Sequence, residues 1–273
     1  MEPLRCFFDV IKQVPLLFVL MLSRRKDDYI AVLQKTKELL RDPSVEVFVV
    51  DFEAAVWGAI RDVFPNVQIK GCVFHWSQSV FRHVESIGLG PAYMERGSIW
   101  NYVRQLLVLP FLPVNHIKPE FDQLAARANT DALRQLVDYI RSTWIESTVF
   151  TVENWSIFMH RVRTNNNVEG WHNRLNGDCG QRALSFYKFQ ELVDHGVGRQ
   201  QRPETRRSDA KLLEYWEDYS GKKDIRYIFA EKNYQSIRSC GVCSLNIKKN
   251  YSDDYIRTGF TVIMCINDSG DIC

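Results

Sequence analysis

The sequence has no apolar run approaching the ~20 residues that a membrane-spanning helix requires. Its longest candidate, Val14–Leu22, is broken by Pro15 and stops at Arg24-Arg25-Lys26, which also disqualifies it as the apolar centre of a secretory signal. An excess of charge of one sign is missing too: 35 Lys+Arg stand against 33 Asp+Glu, a net charge of +2. That balance announces no nucleic-acid partner, although basic residues can still gather on one face. Cysteine is sparse, with seven residues whose odd number and spacing match no disulfide framework, so a reducing, intracellular setting is expected. Internal repeats and long low-complexity tracts are absent. What remains is ordinary globular composition, 45% hydrophobic and 25% charged over 273 residues, enough for one large or two small domains.

Val14–Met21 reads as a strand buried on both faces. Asp27 and Asp28 suit a helix N-terminus, and Ile30, Val32, Leu33, Leu39 and Leu40 follow at helical spacing until Asp42-Pro43-Ser44. Val45–Val50 is a second β-rich run and stops on Asp51. A short amphipathic helix through Ala54 to Val63 is closed by Phe64-Pro65-Asn66, and Val67–Val73 is another short strand leading into a helix through Val80 and Val84. This alternation implies an α/β fold, a parallel sheet with right-handed crossovers, whose functional groups gather at the carboxyl ends of strands. From Tyr93 to Trp155 the pattern is helical, with a clear stripe at Leu133, Leu136, Val137 and Ile140. After Asn176 the chain is polar and arginine-rich, Arg202–Arg207 reads as an exposed linker, and the strand-like GFTVIMCI of the tail has no convincing partner. The expected units are 1–88 (core), 89–160 (all-helical insertion), 161–200 (return to the core) and 201–273 (extension).

Three groups of residues could carry chemistry. Asp51, at a strand end, could offer a hard oxygen to Mg²⁺ or Mn²⁺, or could simply cap the next helix, the commoner use of such an Asp. Cys72 and His75, spaced C-x-x-H at a strand-to-helix junction, suit a zinc ligand pair, a Cys–His nucleophile, or a buried cysteine beside a hydrogen-bonded histidine. Glu169, His172, Asn173 and Asn176 recur on one face of a helix, followed by Arg174, and fit either a lined cleft or a solvated face. Cys240 and Cys243 form a lone C-x-x-C with no second pair. Arg24, Arg25, Lys26, Arg141, Arg161, Arg163, Arg174, Arg182 and the stretch Arg199–Arg207 are candidate contacts to a DNA backbone, each more often a solvated surface charge unless they cluster in space.

Taken together, QVPLLFVLMLSRRKDDY, VVDFEAAVWGAIRDVFPNVQIKGCVFHWSQSVFRHV and TNNNVEGWHNRLN resemble the Mutator-like element (MULE) transposase domain from Val14 to Asn176. The resemblance implies an RNase H-like core with an all-helical insertion before the last acidic residue. It further implies carboxylates that hold two divalent ions, Mg²⁺ or Mn²⁺, roughly 3.5–4 Å apart, for phosphodiester cleavage and strand transfer. Asp51 would be the second carboxylate and Glu169 the third, with Cys72 and His75 matching the family's C-x-x-H motif and His172 and Asn173 in support. The family's first aspartate, in an Asp-Gly-Thr-Phe-like context, has no counterpart here; Asp9 lacks both context and spacing. An N-terminally truncated, defective enzyme is therefore expected, or a domesticated factor that binds DNA or protein without cutting, like the far-red-response regulators of plants. Terminal-repeat DNA as partner, a nuclear location and room for self-association complete the expectation, with no membrane.

Overall fold

The computed structural model describes residues 19, 21, 23–160, 162–163 and 211–217, and the backbone of 263–266. The expected strand Val14–Met21 lies outside these, apart from Val19 and Met21.

Helix α1 (Lys26–Leu39) starts where the acidic pair placed it. The Asp28 carboxylate accepts the Arg25 backbone N–H at 3.0 Å and the Ser23 hydroxyl. Those bonds, the Ser23 hydroxyl first, hold its carboxyl below the ordinary range. Tyr29, Leu33 and Thr36, one helical turn apart, form its buried stripe. The helix stops at Arg41 and Asp42, both in the left-handed region (φ 56° and 59°), just before Pro43.

Strand β1 (Val45–Val50) buries Phe48, Val49 and Val50, helix α2 (Ala54–Val63) follows, and strand β2 (Gln68–Gly71) lies parallel to β1 with Val47 opposite Gln68 and Val50 opposite Gly71. A strand–helix–strand unit of this kind is what the apolar runs and their Pro/Asn breaks foretold. One expectation is corrected. The tail segment without an expected partner supplies strand β3 (Ile263–Ile266), antiparallel to β1, so the sheet order is β2-β1-β3 and the sheet is mixed. Hydrogen-bonding on both sides makes β1 the central strand, which fits its unbroken apolar run Val47–Val50.

Helices α3 (Val73–Ser86), α4 (Gly90–Met94), α5 (Ser98–Leu107), α6 (Val114–Ala125), α7 (Asp131–Ile140) and α8 (Val152–Trp155) make the rest of the main described segment entirely helical. Thr130 caps α7 by accepting the Leu133 N–H, and a π-helical turn, Arg141–Ile145, prolongs it. Leu133, Leu136, Val137 and Ile140 are all buried, as their spacing requires.

Two cores result. One lies between the sheet and α1–α2, built on Tyr29, Leu33, Phe48, Val50, Trp57 and Ile60. The other is helical, and Val73, Trp76, Val80 and Val84 of α3 point into it. Phe52 packs against both. Leu212 and Trp216, from the helical segment 211–217, are buried in the helical core, where the Trp216 indole N–H donates to the Phe111 carbonyl at 3.0 Å. The C-terminal extension, 201–273, thus supplies both a strand and core side chains.

Candidate metal centre

The chain leaves β1 through Asp51, and that turn is tightly held. The Asp51 carbonyl oxygen accepts the Glu53 backbone N–H at 2.9 Å and the Trp57 indole N–H at 2.7 Å. Trp57 is fully buried, with its ring near those of Phe52 and Phe150. The N-cap of α2 is Glu53 and not Asp51, which removes the helix-capping explanation for the aspartate. Glu53 is itself committed elsewhere: its carboxylate accepts the Tyr29 hydroxyl at 2.8 Å and lies 3.6 Å from Arg24.

Cys72 and His75 come to the same point from the neighbouring strand. The Cys72 N–H donates to the Val50 carbonyl at 2.8 Å, extending the β1–β2 pairing by one residue, and Cys72 is the N-cap of α3. Three residues on, His75 sits on the first turn of α3, one turn above the thiol. Its Nδ1 lies 2.8 Å from the Asp51 Oδ1. One donor atom each from Asp51, Cys72 and His75 fall within 4.8 Å of one another. The cluster is closed on one side and open on the other: Cys72 is 0% exposed, the His75 side chain 23% and the Asp51 side chain 44%. A carboxylate at the start of α3 is also favoured by the partial positive charge of the helix N-terminus. With its thiol fully buried, Cys72 offers no approach to a substrate carbonyl, so the Cys–His nucleophile reading has no support.

Two supports were not legible in advance. Gly71 lies under the Phe52 ring, where a Cβ would stand 2.2 Å from Phe52 Cζ. Lys70, 5% exposed, donates from Nζ to the Glu153 carbonyl at 2.7 Å and the Ser156 carbonyl at 3.0 Å, pinning β2 to the α8 region two residues before Cys72. A lone charge in the short strand was the available signal. Burial pushes the Lys70 ammonium below its usual range.

The same region holds a pH-sensitive group. Burial, with the Lys70 charge in second place, pulls His160 down to about 4. A histidine whose folded value is depressed stabilises fully above its unfolded value of roughly 6.5 and loses that contribution as pH falls toward 4. Stability is therefore expected to drop by on the order of 1–2 kcal/mol across that window, because a half-buried imidazole keeps part of its solvent screening. His83, lowered chiefly by burial, acts in the same direction. His160→Gln should flatten the slope of unfolding free energy against pH without abolishing it; an unchanged slope would contradict the assignment.

Of the other residues singled out from the sequence, Glu169, His172, Asn173, Asn176, Arg161, Arg174, Cys240 and Cys243 lie outside the described residues. Arg163 is described and is 8% exposed, with its guanidinium 5.8 Å from the Trp216 ring centre and its carbonyl accepting the Val73 N–H at 3.0 Å. Arg25, Lys26 and Arg141 face the carboxylates of Asp28, Asp62 and Asp122.

A parallel α/β unit with a strand-end carboxylate against a thiol and an imidazole defines the class: an α/β protein with a candidate metal centre at a strand–helix junction. Residues 5–79 match the family model of the MULE transposase domain, so the chain carries MULE transposase domain sequence over that stretch. The match takes in Asp51, Cys72 and His75 and ends before residues 164–176. No curated protein and no solved structure matches the chain. Among the described residues no helix is long and apolar enough to cross a membrane.

Proposed function

We propose that this chain is the catalytic-domain part of a MULE-type DNA transposase, built on an RNase H-like core and acting on transposon terminal-repeat DNA in the nucleus. The observation that carries this reading is the placement of Asp51. It projects from the carboxyl end of the central strand, beside the C-x-x-H pair, inside the stretch that matches the MULE domain. Glu169 is proposed as its partner carboxylate.

The donor set around Asp51 does not by itself suit Mg²⁺ or Mn²⁺. These ions take oxygen ligands, whereas among the described residues Asp51 is joined only by a thiol and an imidazole. That composition favours a second reading, a transposon-derived factor that binds DNA without cutting it.

The two readings separate in one assay. The full chain is incubated with Mn²⁺ and a terminal-repeat duplex, and nicking and duplex retention are both scored. The transposase reading expects at most weak nicking, because the family's first aspartate has no counterpart here, and expects that nicking to fall at least about 100-fold in Asp51→Asn and in Glu169→Gln, since metal-held oxygens stabilise several kcal/mol of developing charge. Duplex retention without nicking is the result expected of the binding factor, and nicking that survives Asp51→Asn overturns the assignment of Asp51.

A further inference from the structure

The mismatch between this donor set and a hard magnesium-class ion has a constructive side. The geometry points to Asp51, Cys72 and His75 as a three-residue site for a borderline transition-metal ion of the zinc class. A carboxylate oxygen, a thiolate sulfur and an imidazole nitrogen are together the ligand types that zinc accepts, and softer sulfur with nitrogen selects it over magnesium.

The spacing agrees. In a tetrahedral zinc site with Zn–N and Zn–O near 2.0–2.2 Å and Zn–S near 2.3 Å, donors stand roughly 3.3–3.6 Å apart. Here all three donor atoms lie within 4.8 Å of one another, and the Asp51 Oδ1 to His75 Nδ1 contact is 2.8 Å. Seating an ion requires that contact to open by about half an ångström and the widest pair, at up to 4.8 Å, to close by about an ångström, both within the reach of side-chain rotation. The backbone around the ligands is already fixed: Cys72 by its bond to Val50, Asp51 by Glu53 and Trp57, and His75 by the first turn of α3.

Three protein ligands with one exposed member leave a fourth position facing solvent on the Asp51 side. Sites of that form hold a water or an incoming oxygen ligand there. A thiol ligand binds as thiolate and gives up its proton to solvent on metal binding. The inference needs neither DNA nor cleavage. It bears on the proposed function at one point only: an ion bound here occupies the oxygen that a magnesium-class ion would need.

The test is a Co²⁺ titration of the full, reduced chain without DNA, read by the thiolate-to-cobalt charge-transfer absorption, with Zn²⁺ then displacing the cobalt. A Cys240→Ser/Cys243→Ser variant serves as background, so that this C-x-x-C pair cannot supply the signal. One equivalent of cobalt is expected to bind with the thiolate band. Cys72→Ser should abolish that band, and His75→Gln and Asp51→Asn should each weaken binding by at least about 100-fold, since even outer-shell changes at such sites cost 10–100-fold. A band that persists in Cys72→Ser, or wild-type affinity in His75→Gln, overturns the site. Should Cys72→Ser lose its circular dichroism, Asp51→Asn, altered at a half-exposed side chain, decides alone: unchanged affinity refutes the proposal. Failure here leaves the nicking assay untouched, and absence of nicking leaves the cobalt result standing.

Discussion

Trp57→Ala is expected to cost about 3–5 kcal/mol of unfolding free energy, the range for removing a large buried aromatic side chain. Trp57 is fully buried between α2 and the sheet, near the Phe52 ring at 6.0 Å and the Phe150 ring at 5.0 Å between centroids. The loss has two separable parts. One is the cavity, the other the indole N–H that reaches the Asp51 carbonyl at 2.7 Å. Trp57→Phe keeps most of the ring and deletes only the donor. Because that carbonyl also accepts the Glu53 N–H, the phenylalanine variant should lose only about 1 kcal/mol. Urea unfolding of the three proteins measures both. A cost below about 1 kcal/mol for the alanine variant would mean that Trp57 does not organise the turn. In the phenylalanine variant, cobalt affinity should fall while fold and helical content are retained, since the missing bond is the one that orients the metal-facing residue.

How much of this could be read from the sequence depended on the range of the interaction. The helix at 26–39, the strand ending on Asp51, the helix closed by Phe64-Pro65-Asn66 and the stripe from Leu133 to Ile140 are local patterns, and the structure shows each of them. Periodicity and breaker residues are set by neighbours in the chain, so they survive without tertiary information. The pairing of β1 with Ile263–Ile266 joins segments more than half the chain apart, and nothing in GFTVIMCI states which strand it will meet. Arg163 shows a different limit. An arginine in a basic stretch reads as a phosphate contact, yet a long apolar stem and a planar head also suit a buried position over an indole, which is where Arg163 lies. Lys70 is similar, a charge whose role became visible only once two carbonyls were seen within its reach.

The site was legible in part for the same reason. C-x-x-H is a local spacing that places a thiol and an imidazole one turn apart at a helix start, whatever the rest of the fold does. That Asp51 joins them follows from the parallel register, which sets Val50 beside Gly71 and so brings the residues after each strand together. Strand-end convergence was inferred from the alternation of strands and helices, while the choice between cap and ligand needed the observed cap, Glu53. Glu169 has no such test, because residues 164–176 lie outside those described.

Gly71→Val should be the most damaging single change on β2, although valine is ordinarily favoured in strands. The obstacle is space: a Cβ on residue 71 would lie 2.2 Å from Phe52 Cζ and 2.3 Å from Cε1, closer than carbon atoms approach. Either the ring or the strand must move. The ring is wedged edge-on against Trp144 at 4.7 Å and Phe150 at 5.3 Å, so it cannot swing aside without opening both cores. Overpacking of this kind costs about 1–3 kcal/mol for Gly71→Ala, and valine should reach or pass the upper end. Phe52→Leu, which shortens the offending side chain, should lose stability alone and yet restore part of the loss when combined with Gly71→Ala. The double variant would then be more stable than the sum of the single losses predicts, by at least about 0.5 kcal/mol, the signature of two residues in direct contact. Strict additivity would show that the glycine is not there to admit the ring. Because Phe52 follows Asp51 and Gly71 precedes Cys72, this contact also sets the separation of the carboxylate and the thiol, and Gly71→Ala should weaken cobalt binding even where the fold survives.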